Sequence, residues 1–267
     1  MMPDSQRVPQ ADTTGPRTIL ITGGANGIGA AMVRHFTTIG HRVAVADIDL
    51  ESGRELAEAT GCLLIAVDAS IFADNQTAVH ETVKHFGDLD TVCLNVGIAV
   101  GANFGEDFDP IQYRHGMQVN LDSAVYGLNA ALPHLQARGG GSILVTSSVA
   151  GIMPGIGPYY TAAKHALIGL SRSFARLLRK DNIAVNAICP GFVDTRLLSR
   201  RRGNLVAHGM AIADTEHIAT TAATILDSPG TGQAWIVQAN ESARLVSFPD
   251  VPPSRAADQM DPVPDYQ

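Results

Sequence analysis

The sequence predicts a single-domain α/β fold, a doubly wound sheet of about seven parallel strands flanked by helices. Short β-branched runs alternate with longer segments of helical period from residue 18 to residue 239. The chain has 267 residues, of which 45% are hydrophobic and 17% charged, as expected of one large globular domain. We predict this domain over residues 17–240, after a flexible leader at 1–16 and before an extended, proline-containing tail at 241–267.

Each predicted strand is a short apolar run, and each predicted helix is a longer run with apolar residues at helical spacing. The strands are residues 18–22, 42–47, 63–68, 91–95, 142–147, 184–188 and 234–238. The helices are residues 28–38, 50–59, 71–86, 110–138, 159–180 and 215–227. This alternation is typical of βαβ units on a parallel sheet.

The composition favours small molecules as partners. A net charge of -7 predicts no binding to nucleic acid or to an anionic membrane surface, and no apolar run approaches the length of a membrane span. Cys62, Cys93 and Cys189 lie in apolar runs without metal-ligand spacing, and the spacing of the nine histidines also predicts no metal site. Since the leader has no apolar signal segment, we predict a cytoplasmic location.

A glycine-rich turn follows the first predicted strand directly. Residues 22–29 read Thr-Gly-Gly-Ala-Asn-Gly-Ile-Gly, and a helical pattern begins there. Glycine permits positive φ and close backbone approach, so the free N–H groups of the helix can hold a pyrophosphate. An ordinary tight turn is the alternative for the glycines alone. A dinucleotide in a Rossmann-type fold would contact Gly23, Asn26, Gly27, Ile28 and Gly29.

An acidic residue ends the second predicted strand, 18 residues after Gly29. The carboxylate of Asp47 can accept hydrogen bonds from the adenosine ribose hydroxyls, and it would repel a 2′-phosphate. Neither Gly24 nor Ile48 supplies the arginine that a 2′-phosphate needs. The sequence therefore predicts NAD rather than NADP, with Asp47 and Ile48 at the ribose. A helix-capping or loop carboxylate is the alternative for Asp47.

Tyr160 and Lys164 open a predicted helix, and their spacing of four puts phenol and ammonium on one face. A free phenol titrates near ~10, but a nearby fixed cation favours the phenolate. Proton transfer that accompanies hydride transfer requires this tuning. Ser147 and Ser148 end the preceding strand, where open α/β sheets bind ligands, and a hydroxyl there can hold a substrate oxygen. Taken alone, Tyr-x-x-x-Lys is also the spacing of a surface pair.

These motifs resemble the short-chain dehydrogenase/reductase family over about residues 18–239. The resemblance rests on Thr-Gly-x-x-x-Gly-x-Gly, on a serine ahead of Tyr-x-x-x-Lys, and on Cys-Pro-Gly at residues 189–191. It implies that Tyr160 transfers the proton and that Ser148 binds the substrate oxygen. It implies that Lys164 lowers the tyrosine pKa and binds the nicotinamide ribose, and that Asn120 anchors a proton-relay water.

The same resemblance implies further cofactor contacts. Asp68 and Ala69 would border the adenine, and Asn95 and Gly97 would line the floor of the cofactor site. Residues after the sixth strand would contact the nicotinamide end: Pro190, Gly191, Val193 and Thr195. The family also implies an alcohol or ketone substrate, and a homodimer or homotetramer.

The sequence departs from the family pattern at three places. The usual Asn-Asn-Ala-Gly is here Leu-Asn-Val-Gly at residues 94–97, which puts the stability of the sheet in doubt, and the last strand lacks an Asp-Gly-Gly ending. The separation between Ser148 and Tyr160 is one residue shorter than typical, which makes Ser147 and Tyr159 their rivals. The spacing to Lys164 favours Tyr160, and the pattern Ser-x-x-Gly favours Ser148.

We therefore predict an NAD-dependent oxidoreductase that interconverts a secondary alcohol and a ketone. An NADPH-linked carbonyl reductase of a biosynthetic pathway is one alternative, which Asp47 disfavours. A non-catalytic nucleotide-sensing protein is another, which the intact catalytic set disfavours. Three segments are similar to members resembling 15-hydroxyprostaglandin dehydrogenase, and they favour NAD-linked alcohol oxidation: Met153-Pro154, Asn186 to Val193, and Phe248-Pro249.

The predicted substrate loop, residues 196–213, combines apolar residues with four arginines. Its first part, 196–210, would form a helix with an apolar stripe and a cationic edge. Two interpretations stay open: a solvated basic face, or a clamp for an anionic group of an apolar substrate. The arginines are Arg196, Arg200, Arg201 and Arg202.

Overall fold

The computed structural model describes residues 15–101, 103–155 and 157–249. The strands are β1 Thr18–Thr22, β2 Arg42–Asp47, β3 Leu63–Ala66, β4 Thr91–Leu94, β5 Gly141–Thr146, β6 Ile183–Pro190, β7 Ala234–Val237 and β8 Arg244–Leu245. The helices are α1 Gly27–Thr38, α2 Leu50–Thr60, α3 Phe72–Phe86, α4 Pro110–Met117, α5 Ser123–Ala137, α6 Pro158–Leu178, α7 Ser199–Ala207 and α8 Thr215–Leu226. Residues 1–14 of the predicted leader and 250–267 of the predicted tail lie outside the described residues.

All eight strands belong to one sheet in the order β3-β2-β1-β4-β5-β6-β7-β8. Strands β1 to β7 pair in parallel, which confirms the predicted α/β fold. The strand order reverses between β1 and β4. In sheets of this kind ligands bind in the crevice that opens beyond the carboxyl ends of the strands at that reversal.

The eighth strand is an addition to the predicted sheet. Strand β8 runs antiparallel to β7, with Trp235 opposite Leu245. The chain reverses after β7 through Asn240, whose φ is 60°. A tight connection of this kind gives an antiparallel neighbour, whereas a parallel one needs a long crossover. The beginning of the predicted extended tail therefore lies on the sheet.

Apolar side chains cover both faces of the sheet. All five residues of β1 are buried, and because side chains alternate along a strand, Ile19 and Ile21 pack on one face while Leu20 packs on the other. The first face is covered by α1 and α8 and the second by α3, α5 and α6. Burial on both faces explains the near-continuous apolar runs of these parallel strands.

The segment predicted as one helix over residues 110–138 is interrupted. Helix α4 ends at Met117, a π-helical turn covers Gln118–Asp122, and α5 begins at Ser123. Turns of this type insert one extra residue into the helix and occur at functional sites. Asn120 lies in this turn.

The segment between β6 and α8 packs loosely at its centre. Helix α7 is shorter than the predicted 196–210, and none of its residues is buried. Among the described residues, no helix combines the length and the apolar character needed to cross a membrane.

Candidate active site

The glycine-rich turn joins β1 to α1 with a backbone that side chains would obstruct. Gly23 and Gly27 have φ of 65° and 52°, in the region that favours glycine. A Cβ on Gly29 would overlap the carbonyl oxygen of Gly23 and lie 2.8 Å from Cα of Gly24. Helix α1 begins without a side-chain cap or an acidic residue in its first turn. The uncapped N–H groups fit an anionic pyrophosphate.

Asp47 lies at the carboxyl end of β2 and faces this turn. Its Oδ2 accepts a hydrogen bond from the N–H of Ala25 at 2.9 Å, and its Oδ1 accepts one from the N–H of Asp49 at 2.9 Å. The neighbouring Ile48 is 73% exposed. The side chain of Asn26 donates to Oδ2 of Asp49 at 2.8 Å. The predicted ribose-binding carboxylate is thus fixed in place by two backbone donors.

Asp68 and Ala69 follow β3, next to the end of β2. Val67 donates its N–H to the carbonyl of Asp47 at 3.2 Å, which joins the two strand ends. Asp68 accepts hydrogen bonds from the N–H and hydroxyl of Ser70. The carbonyl of Ala69 accepts from the side chain of Asn75. Asp68 and Ala69 therefore form these hydrogen bonds within the loop between β3 and α3 and with α3 itself.

Asn95 and Gly97 continue the floor of the crevice after β4. The side-chain amide of Asn95 donates to the carbonyl of Gly23 at 3.0 Å, while its buried Oδ1 has no partner among the described residues. A Cβ on Gly97 would lie 3.1 Å from Oδ1 of Asn120 and 3.3 Å from Nζ of Lys164. An unpaired buried acceptor near a glycine that leaves space beside Asn120 and Lys164 fits a dinucleotide.

Lys164 is buried in α6 with its side chain turned toward β5. It is 3% exposed, its Nζ donates to the carbonyl of Thr146 at 2.9 Å, and the ammonium lies 5.5 Å from the ring centroid of Tyr160. Burial lowers the pKa of Lys164 to about 8. The helix spacing of four therefore does place phenol and ammonium together, as predicted.

The side chains of Tyr160 and Ser148 lie close together. Burial raises the pKa of Tyr160, and a hydrogen bond with the side chain of Ser148 lowers it. The Ser148 hydroxyl also accepts from the N–H of Ala150 at 3.1 Å and lies 3.4 Å from the carbonyl of Pro190, to which it donates. A hydroxyl that is half-buried and next to the phenol can hold a substrate oxygen.

The two predicted rivals have other surroundings. Ser147 is 3% exposed, and its hydroxyl donates to the carbonyl of Lys164 at 2.8 Å. The ring of Tyr159 packs against Tyr113 and Phe108, with centroids 5.0 and 5.7 Å apart. This geometry favours Ser148 and Tyr160 as the reacting pair.

Asn120 is fully buried within the π-helical turn. Its Oδ1 accepts from the N–H of Ile98 at 3.0 Å, and its side-chain amide donates to the carbonyls of Ile98 and Gly116. These bonds fix the turn beside the Gly97 backbone and Lys164. Both polar atoms of the Asn120 side chain are thus bonded to backbone groups around the turn.

The residues after β6 cross the crevice. Gly191 donates its N–H to the carbonyl of Val237, and Val193 pairs with Ala213. A Cβ on Gly27 would lie 3.1 Å from Cγ2 of Thr195, so this segment reaches the glycine-rich turn. Arg196 then pairs with Asp49 at 3.1 Å. The structure therefore brings the predicted nicotinamide-end and phosphate-end residues to one crevice.

Sequence reasoning did not assign roles to Asp49 and Thr146. Asp49 caps α2 by accepting from the N–H of Ser52, and it binds Asn26 and Arg196. An aspartate just before a helical run was a visible capping signal. The carbonyl of Thr146 carries no sequence signal, because any residue offers the same backbone group. Among the described residues, no cluster of three or more potential ligands could hold a metal ion.

Together, the fold and this site define a class of protein: a dinucleotide-binding α/β domain with a tyrosine and a buried lysine at the carboxyl edge of its sheet. Residues 17–205 match the family model described as short chain dehydrogenase. The chain belongs to this family of oxidoreductases, which act on alcohols and ketones with a nicotinamide cofactor.

Similar proteins include enzymes with different substrates. The chain is 37% identical to sex determination protein tasselseed-2 of Zea mays over 68% of this chain and 56% of that protein. It is 35% identical to 3beta-hydroxysteroid dehydrogenase 2 of Eggerthella lenta over 77% of this chain and 81% of that one. The structure resembles 3-ketoacyl-(acyl-carrier-protein) reductase from Brucella melitensis complexed with NADH, with a TM-score of 0.78, 25% identity, and coverage of 84% and 97% of the two chains.

Proposed function

We propose that the protein is an NAD-dependent dehydrogenase that oxidises a secondary alcohol to a ketone, with Tyr160 as acid and base. The observation that carries this proposal is the position of the buried Lys164 ammonium, 5.5 Å from the ring centroid of Tyr160, with the Ser148 hydroxyl near enough to lower the pKa of the phenol. A cation held at this distance stabilises a phenolate, which is the base that alcohol oxidation needs.

The residues of the chain divide the work of proton transfer. The Ser148 hydroxyl rotates from the Pro190 carbonyl, to which it donates over 3.4 Å, to donate its proton to the substrate oxygen, and it orients the carbinol carbon. The Tyr160 oxygen removes the hydroxyl proton during oxidation and returns it during reduction. Lys164 keeps a positive charge beside the phenolate, and the turn that contains Asn120 holds the route by which the proton leaves. When bound, NAD supplies the hydride acceptor.

Two carboxylates support NAD over NADP. Asp47 ends β2 at the predicted ribose position, and Asp49 lies beside it. Hydrogen bonds from Asn26 and then Ser52 lower the pKa of Asp49 to about 2, so this carboxylate is ionised at neutral pH. A 2′-phosphate would meet both negative charges, although Arg196 offsets part of the charge of Asp49.

An apolar substrate is supported by the residues around the crevice. Phe108, Tyr113 and Tyr159 form one aromatic cluster, and Tyr159 directly precedes Tyr160 in the chain. Leu197 and Met210, on either side of α7, are about half exposed. Aromatic and aliphatic walls with a few polar groups are typical of small-molecule sites. The cytoplasmic location, the domain boundaries and the homodimer or homotetramer stay predictions.

The test is a screen of secondary alcohols and ketones with NAD(H) and NADP(H), run on wild type and on Tyr160→Phe. We expect turnover that depends on Tyr160 and has a higher kcat/KM with NAD. Preference for NADPH would support the carbonyl reductase instead. Dinucleotide binding without turnover of any compound would support a nucleotide-sensing protein.

A further inference from the structure

Two consecutive residues at the end of β5 hold Lys164 at its two ends. The carbonyl of Thr146 accepts from the lysine Nζ at 2.9 Å. The hydroxyl of Ser147 donates to the backbone carbonyl of the same lysine at 2.8 Å. All three residues are buried. These two hydrogen bonds, one at the backbone and one at Nζ, therefore fix the position of the lysine side chain.

The Ser147 bond is not needed to satisfy a helix carbonyl. Lys164 lies inside α6, where each carbonyl accepts from the N–H four residues further on. The serine adds a second bond, and this one joins the helix to the sheet. Its removal leaves the helix bonds intact, so the loss of folding stability is that of the buried side-chain hydrogen bonds of Ser147, one to the Lys164 carbonyl and one shared with the Cys189 thiol on β6.

Helix α6 and the end of β5 pack closely at Gly151. Gly151, at the end of the turn after Ser148, fills the gap between them. A Cβ on Gly151 would lie 2.5 Å from Oγ of Ser147 and 2.6 Å from the carbonyl oxygen of Lys164. Because the contact is close, the Ser147 hydrogen bond helps to fix the distance between α6 and β5.

Within the described part of the chain, no carboxylate pairs with the Lys164 ammonium and could position it instead. The neighbouring group on β6 is the Cys189 thiol, and burial raises the pKa of this thiol to about 12, so it stays neutral. Among the contacts of the described residues, Nζ has the carbonyl of Thr146 and the ring of Tyr160. Its position therefore depends on the backbone to which the side chain is attached.

We propose that Ser147 is a positioning residue for the reaction: it fixes the Lys164 backbone against β5 so that the ammonium stays beside Tyr160. The proposal rests on the proposed function for the role of Tyr160, and it goes further by giving the buried serine a task distinct from that of Ser148. Without the bond, the lysine backbone moves away from the strand, and the phenolate loses part of its stabilisation.

The experiment measures the ionisation of Tyr160 directly and through turnover. The phenolate absorbance of each protein is titrated and compared with that of its Tyr160→Phe counterpart, so the difference reports Tyr160 alone. In Ser147→Ala we expect this titration and the rising limb of the kcat profile to move to higher pH. We expect kcat at neutral pH to fall by about tenfold, with KM for NAD little changed, because the displacement is small.

The control is Ser171→Ala. Ser171 is also fully buried in α6, but its hydroxyl donates to the carbonyl of Leu167 within the same helix. The Ser171→Ala substitution removes one buried hydrogen bond and leaves the contact between α6 and β5 unchanged. The Tyr160 titration should therefore stay as in wild type. Ser147→Cys, under reducing conditions, leaves no cavity but replaces the hydroxyl with a larger group that is a weak donor, so it should shift the Tyr160 titration in the same direction as Ser147→Ala.

The outcomes separate the two proposals. An unchanged Tyr160 titration in Ser147→Ala and Ser147→Cys would overturn the positioning role. An equal shift in Ser171→Ala would overturn it too, since it would show general loosening of α6. Turnover that survives Tyr160→Phe would instead refute the proposed function, while the absorbance titration would still decide the role of Ser147.

Discussion

At the scale of the residue, neighbouring side chains with the same chemistry have different surroundings. Tyr160 touches Ser148 and the Lys164 ammonium, whereas Tyr159 packs its ring against Tyr113 and Phe108. Of these two tyrosines, only Tyr160 has an ammonium group near its phenol to support proton transfer. The two tyrosines therefore form a matched pair for a test.

Tyr160→Phe should abolish turnover and leave NADH binding nearly unchanged, because it removes only the oxygen that transfers the proton. Tyr159→Phe keeps the ring that packs against Tyr113 and should cost little. Initial rates and fluorescence titration with NADH measure the two effects. Retention of more than about a tenth of kcat by Tyr160→Phe, or ~1.4 kcal/mol of barrier, would show that another group transfers the proton.

Asp47→Ala combined with Ile48→Arg should move cofactor preference toward NADP. The carboxylate that repels a 2′-phosphate is lost, and the exposed position next to it gains a guanidinium. We expect the ratio of kcat/KM for NADP to that for NAD to rise by about tenfold or more. Ile48→Arg alone is the control, since it keeps Asp47 and should change the ratio less. Wild-type protein that prefers NADP would contradict the assignment.

At the scale of the element, α6 is held against β5 by close contact. Gly151→Ala would place a methyl group within 2.6 Å of the Lys164 carbonyl oxygen, so the helix must shift. We expect a loss of about 1–3 kcal/mol in the free energy of unfolding. Gly169→Ala in the same helix meets nothing within 4 Å and should instead stabilise by roughly 0.5–1 kcal/mol. Denaturant unfolding of both variants measures this, and equal effects would contradict the close contact.

Ion pairs divide the four arginines in and before α7 into two groups. Arg196 pairs with Asp49, and Arg202 pairs with Asp194 at 3.2 Å. Among the described residues, Arg200 and Arg201 have no ion pair. The predicted clamp for an anionic group therefore reduces to these two.

If the clamp exists, Arg200→Gln with Arg201→Gln should raise KM for an apolar hydroxy acid and leave KM for its neutral ester unchanged. The effect should shrink at high salt, because both side chains are exposed. Arg202→Gln is the control, since its guanidinium already has a partner. Equal changes for acid and ester, or none for either, would return the pair to a solvated basic face.

At the scale of the whole molecule, the amino edge of the sheet is tied together by one arginine. Arg17, just before β1, donates its N–H to Nδ1 of His41 at 3.2 Å, and its guanidinium pairs with Asp227 after α8 at 2.7 Å. Burial, and then the charge of Arg17, lowers the pKa of His41. The neutral ring is the form that accepts this hydrogen bond.

This linkage predicts a loss of stability in acid. The unfolded chain takes up the His41 proton below about pH 6.5, while the folded chain resists it, so stability is full above that pH and falls as pH drops toward the lowered folded pKa. Between pH 7 and 5, His41→Asn should lose less free energy of unfolding than wild type. His80→Asn, on the exposed surface of α3, should follow wild type. An identical pH dependence in His41→Asn would contradict the linkage.

Much of this architecture was visible in the sequence, because it depends on local patterns. Apolar runs placed the seven parallel strands, with ends displaced by at most two residues, since burial on both faces leaves a continuous apolar signal. The glycine turn and the spacing between Tyr160 and Lys164 predicted which groups would meet. At Leu94, where the sequence departs from the family pattern, the buried side chain packs against Gly127.

Other features were decided only by tertiary structure. Within the π-helical turn, Asn120 bonds to Ile98, 22 residues away along the chain, and no helical period records such a partner. Strand β8 has only two residues and forms by pairing with the edge strand β7, which a local pattern does not show. Ser147 and Ser148 are adjacent and chemically identical, and only the position of α6 buries one hydroxyl against a carbonyl and leaves the other beside the phenol. A sequence specifies which groups are present and at what spacing, whereas their partners depend on elements that meet across the fold.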